Sequence, residues 1–111
     1  MPDWGARWVM LQLRPTCENC NKALGPDALD ARICSFECTF CAACVEGVLR
    51  NVCPACGGGF APRPVRPATN WRDDNYLGKY PARTEVKHRP VDAAEHARFA
   101  SRLALIAPDK R

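Results

Sequence analysis

CENCNKALGPDALDARICSFECTFCAACVEGVLRNVCPAC, residues 17 to 56, contains all eight cysteines of the 111-residue chain. They form four close pairs: Cys17 with Cys20, Cys34 with Cys38, Cys41 with Cys44, and Cys53 with Cys56. The tight turn of a C-x-x-C pair aims both sulfurs at one ion, so four pairs are enough for two tetrahedral S₄ sites. That donor set suits Zn²⁺, with iron the main competitor. Gly57 and Gly58 after Cys56, and Asn21 after Cys20, are residues that let backbone amides turn toward the sulfurs.

The segment between Cys44 and Cys53 bears on which pairs share an ion. Val45, Val48, Leu49 and Val52 fall at i, i+3, i+4 and i+7, one face of a helix beginning near Cys41. Gly47 weakens that helix by about 1 kcal/mol relative to alanine. A helix that starts at one ligand pair carries the chain away from that ion. This favours a cross-brace, with Cys17, Cys20, Cys41 and Cys44 on one zinc and Cys34, Cys38, Cys53 and Cys56 on the other. Consecutive pairing, with Cys17, Cys20, Cys34 and Cys38 together, is the alternative.

A chain of this length buries a modest share of its surface, so something besides an apolar core must hold it. Ile33, Phe36, Phe40, Val45, Val48, Leu49 and Val52 supply one apolar stretch, while ten prolines and seven glycines interrupt the rest. The expected fold class is therefore a small metal-stabilised α+β domain. Residues 1–16 read as a lead-in, in which the partial alternation of Trp4, Trp8, Val9, Leu11 and Leu13 suggests an edge strand before Pro15. The zinc module spans 17–58. Residues 59–70, with Gly59, Pro62, Pro64 and Pro67, read as a linker stiffened toward polyproline II. Residues 71–111 form a basic arm. Within it Asp92 and Glu95 resemble a capping box, and Phe99, Leu103 and Ile106 form an apolar stripe, which predicts an amphipathic helix over 93–106 that can dock on a partner or on the module.

The opening residues lack the features of a signal peptide and no stretch is long enough to span a bilayer, so the expected compartment is the cytoplasm. Thiols stay reduced there, which favours metal over disulfides. The formal charge of +4 counts thiols as neutral. Eight thiolates and two Zn²⁺ bring the loaded chain to about zero, an acidic module joined to a basic arm. A thiol redox enzyme is disfavoured because all eight cysteines are needed as ligands. His88 and His96 read as solvated surface residues. Arg63, Arg66, Arg72, Lys79 and Arg83, interleaved with Trp71, Tyr76 and Tyr80, offer phosphate contacts and stacking, so nucleic acid is the alternative partner to a protein. Asp73, Asp74 and Glu85 dilute that basic run.

The order and spacing, with F40-C41-A42-A43-C44, the aliphatic helix after it and the C53-P54-A55-C56 knuckle, resemble a RING finger of the treble-clef type, with Cys38 where such domains usually place histidine. More narrowly, MLQLRPTCENC from Met10, ICSFECTFCAACVEGVL from Ile33 and CPACGG from Cys53 resemble a bacterial family catalogued as domain of unknown function 1272, over roughly residues 10 to 68. Members begin at the equivalent of Met10, which sets an upstream start-codon assignment for residues 1–9 beside the reading of a functional extension. The RING resemblance implies ubiquitin-ligase activity, but Asn19 and Gly57 stand where an aliphatic residue and a cation would recruit the conjugating enzyme. The expectation is thus a non-enzymatic zinc-binding interaction module with an unidentified protein partner.

Overall fold

The computed structural model describes residues 10–111. Trp4, Trp8 and Val9, three of the five residues that suggested the lead-in strand, lie outside them. The described remainder, 10–15, is not a strand, and only Thr16 makes an isolated antiparallel bridge, to Ala23.

The centre is a hairpin. Strand β1 (Ala31–Ile33) runs antiparallel to β2 (Thr39–Cys41), with Arg32 opposite Phe40. The turn between them is C34-S-F-E-C38. It closes because the Cys34 amide donates to the Cys38 carbonyl at 3.2 Å and Glu37 takes a left-handed φ of 66°. Pairing of the strands therefore brings Cys34 and Cys38 together at the tip and leaves Cys41 at the far end.

From Cys41 the chain enters α1 (Ala42–Cys44) and then a π-helical turn, Val45–Leu49. The aliphatic repeat does mark a helical face, for Val45, Leu49 and Val52 are buried. The helix is shorter and wider than the spacing predicts. Amides of Arg50 and Asn51 both donate to the Val45 carbonyl, and both residues are left-handed, with φ of 54° and 58°, so the helix stops there.

The residues expected as a linker carry β3 (Ala61–Pro62), which pairs antiparallel with the free side of β1 to give the order β2-β1-β3. Proline fits because an edge strand can lack a donor on its outer side. Phe60 packs edge-on against Phe40 with ring centroids 5.5 Å apart. The core joins these elements through Cys17, Leu24, Ala31, Phe40, Val45, Leu49 and the remaining buried cysteines. Phe36, one of the apolar stretch, is 73% exposed because it sits at the tip of the hairpin.

The arm wraps the module. The Arg83 amide donates to the Leu13 carbonyl and the Arg89 amide to that of Glu18. Helix α2 (Ala93–Leu103) starts at Asp92, whose carboxylate accepts from the Glu95 amide at 3.1 Å. It packs on the π-helical turn, burying His96 and Ala100, with Phe99 and Leu103 half-buried beside them. Ile106, expected on this stripe, lies past the end of the helix and is 37% exposed. No helix among the described residues is long and apolar enough to cross a membrane.

Candidate metal centres

Two cysteine groups are positioned to bind metal ions. The sulfurs of Cys17, Cys20, Cys41 and Cys44 lie within 4.8 Å of one another, as do those of Cys34, Cys38 and Cys53. The pairs interleave along the chain, since the first group joins the first and third pairs. The hairpin explains part of this: β1 and β2 hold Cys34 and Cys41 at opposite ends, so the second and third pairs do not meet. Cys56 is exposed and lies outside the spacing of the second group.

Local structure supports each group. Asn21 adopts a left-handed φ of 64° after Cys20. Gly57, with φ of 78°, closes the last knuckle by donating to the Cys53 carbonyl at 2.8 Å, and the Gly58 amide points at the Cys56 sulfur at 3.3 Å. The Phe36 amide does the same for Cys34 at 3.4 Å. In the first group Asn19 Nδ2 adds a side-chain donor, 3.3 Å from the Cys44 sulfur.

The electrostatics suit a cation. Burial pushes Cys38 up to about 11, helped by the hydrogen bond and charge of Cys34, and pushes Cys44 up to about 12. Cys53 and Cys41 are raised by burial too. At Cys20 and Cys34 burial opposes ionisation, but hydrogen bonds from the Lys22 and Phe36 backbone and from neighbouring thiols outweigh it and bring both below the ordinary value. Clustered thiols of this kind keep protons until a metal ion replaces them.

Two residues beside Cys17 tie the groups to the arm. Glu18 is 2% exposed, and its carboxylate accepts from the Thr39 amide at 2.7 Å and pairs with Arg14 at 2.8 Å and Arg89 at 3.2 Å. The Asn19 side chain that donates to Cys44 accepts from the Val91 amide at 2.8 Å, and His88 Nε2 lies 3.1 Å from the Asn19 carbonyl. Sequence gave no sign of either role, because each depends on a segment about seventy residues away.

The cations singled out for nucleic acid do not form one surface. Arg63 is 4% exposed and donates to the carbonyls of Arg14 at 2.9 Å and Gly25 at 2.8 Å. Arg66 donates to Leu11 and Tyr80 carbonyls at 2.8 and 2.7 Å. Lys79 lies 3.8 Å from Asp74, while the side chains of Arg72 and Arg83 are exposed. His96 corrects the expectation of a surface histidine: it is 4% exposed, with Nε2 2.9 Å from the Leu49 carbonyl.

These features coincide with the extent of sequence likeness. The family described as "Protein of unknown function (DUF1272)" matches residues 10–66, a span that holds both cysteine groups and continues through β3, Arg63 and Arg66. An uncharacterized protein of Rhizobium meliloti (strain 1021) is 52% identical over 85 residues, which covers 77% of this chain and 94% of that protein. That length exceeds everything up to residue 66, so the likeness runs on into the arm. No solved structure matches the chain. With a family model matching residues 10–66 and a 52% identical relative covered over 94% of its length, the chain belongs to the DUF1272 family.

Proposed function

We propose that the protein is a non-enzymatic, cytoplasmic protein-interaction module built on two Zn²⁺ ions in a RING-like cross-brace. The observation that carries this reading is the four-sulfur group. Tetrahedral ZnS₄ with Zn–S of about 2.3 Å sets its sulfurs about 3.8 Å apart, and those of Cys20 and Cys41 are 3.8 Å apart. With Cys56 added, the second group offers the same donor set. A closed S₄ centre leaves no position for water or substrate, which makes the zinc structural. Using every thiol as a ligand leaves none as a nucleophile.

Two further points favour a binding role over the other readings. At the positions where a ligase would receive its conjugating enzyme, Asn19 is bonded to Val91, and a Cβ on Gly57 would meet Leu103 at 3.1 Å, so the arm already occupies both. Nucleic-acid binding loses Arg63 and Arg66 to backbone carbonyls. Exposed Phe36, Trp71 and Leu105 remain as apolar contacts for a protein.

Elemental analysis of the purified chain tests the metal reading, with two zinc ions expected. A strong chelator should abolish the fold, because zinc binding worth roughly 10 to 16 kcal/mol per site is folding free energy. Lower pH should release zinc, since protons compete for the thiolates. One ion per chain, iron as the main metal, or a fold that survives without metal would defeat it. A partner captured by the loaded chain and lost after chelation supports the interaction role. Tight binding to nucleic acid at physiological salt that needs Arg72 and Arg83 would replace it.

A further inference from the structure

We infer that the second centre is an exchangeable metal site whose ion enters and leaves by way of Cys56, while the first centre holds its ion for far longer. This rests on the two-zinc reading above. Both Cys20 and Cys56 are exposed, yet only Cys20 stands within its group. The first centre thus has all four sulfurs gathered already, within 4.8 Å of one another. The second has three buried sulfurs in place, and its fourth must swing in from solvent.

The surroundings of the two centres differ in the same sense. Asn19 braces the Cys44 sulfur and is itself held by Val91, so the arm fastens the first centre. Among the described residues Cys56 has the Gly58 amide as its one hydrogen-bond donor, and that bond is open to solvent. A cavity of about 750 Å³ opens beside the second centre, lined by Cys38, Pro54 and Ala55 on that side and by α2 on the other. A small chelating ligand can approach the ion through it. Departure of the Cys56 thiolate into solvent opens the closed centre, and the incoming donor takes the position it vacates. The backbone of the knuckle stays fixed meanwhile by the bonds from Gly57 to Cys53 and from Cys53 to Gly58.

The experiment mixes the zinc-loaded full chain with excess 4-(2-pyridylazo)resorcinol and follows the coloured complex. Two phases of equal size are expected, one ion leaving faster by roughly tenfold or more, the size of effect that support around a metal ligand typically has. Limiting N-ethylmaleimide, mapped by mass spectrometry, should label Cys56 first, with loss of one zinc. The Cys56→Ser variant should retain the slow ion. A chain that starts with fewer than two ions overturns the two-zinc reading itself. Two ions that leave at one rate, or first labelling at Cys20, would overturn the exchangeable second centre alone.

Discussion

Arg63 shows how much a single side chain here depends on the whole chain. It is 4% exposed, meets carbonyls of Arg14, Leu24 and Gly25, and has no carboxylate partner among the described residues. Burial holds its pKa below the ordinary value, and guanidinium still remains charged. With zinc bound as proposed, two thiolate-rich centres would make the module acidic and place this cation in a favourable field. Arg63→Ala strands buried carbonyls that lose a charged donor, and the expected cost is about 3 kcal/mol. Denaturant titration of the zinc-loaded variant checks it. A shift under about 0.5 kcal/mol, the range of an ordinary surface substitution, would show that the arginine is solvated after all. In the sequence Arg63 stands between two prolines and reads as one cation of a basic run. Only the pairing of β3 with β1 buries it, and two residues of strand give no periodicity to detect. The cysteines were legible for the opposite reason, because ligand chemistry demands close pairs whatever the fold around them.

At the scale of elements, the hairpin was not legible in the sequence, since its strands are three residues each and a three-residue gap between Cys34 and Cys38 fits a helical turn as well as a hairpin tip. Nor was the π-helical turn. Val45, Val48, Leu49 and Val52 fit a regular helix, and the widening comes from where Arg50 and Asn51 place their amides. Two glycines separate these causes. A Cβ on Gly47 would meet nothing within 4 Å and its φ is not left-handed, so Gly47→Ala should stabilise the chain by about 0.5 to 1 kcal/mol through the unfolded state. Gly57 has φ of 78°, and its Cβ would lie 3.1 Å from Leu103 and 3.5 Å from Phe99. Gly57→Ala should therefore cost about 1 to 2 kcal/mol in backbone strain and push α2 off the knuckle. Hydrogen exchange resolves the pair: amides of α2 speed up with alanine at 57 and keep their rates with alanine at 47. Equal behaviour of the two variants would mean that α2 does not rest on the knuckle. The existence and N-cap of α2 were legible from Asp92 and Glu95, whereas its buried face was not. Side chains at 96 and 100 turn inward, and a histidine beside an alanine does not read as an apolar stripe.

For the whole molecule, the question is how far the module depends on the arm that wraps it. Every cysteine lies between Cys17 and Cys56, and β3 with Arg63 follows closely, so a chain ending at Thr69 keeps both metal groups and the three-stranded sheet. It loses the Arg83 bond to Leu13, the Arg89 contacts with Glu18, the Val91 bond to Asn19 and the cover that α2 gives Leu49. Glu18 still has Arg14 and the Thr39 amide, so its buried carboxylate is not left alone. The expected result is a chain that binds two zinc ions with lower stability. The dependence in the other direction is total. An isolated helix the length of α2 is marginal in water, and its Asp92 cap contributes about 1 kcal/mol, too little to offset the ordering of the segment. In the full chain, Phe99→Ser with Leu103→Ser removes the two large side chains that lie against Gly57. Zinc content should stay at two while amide exchange in α2 rises toward that of a free peptide. Loss of zinc from either variant would mean that the arm is part of the metal-binding fold, and that the module is not a unit that folds by itself.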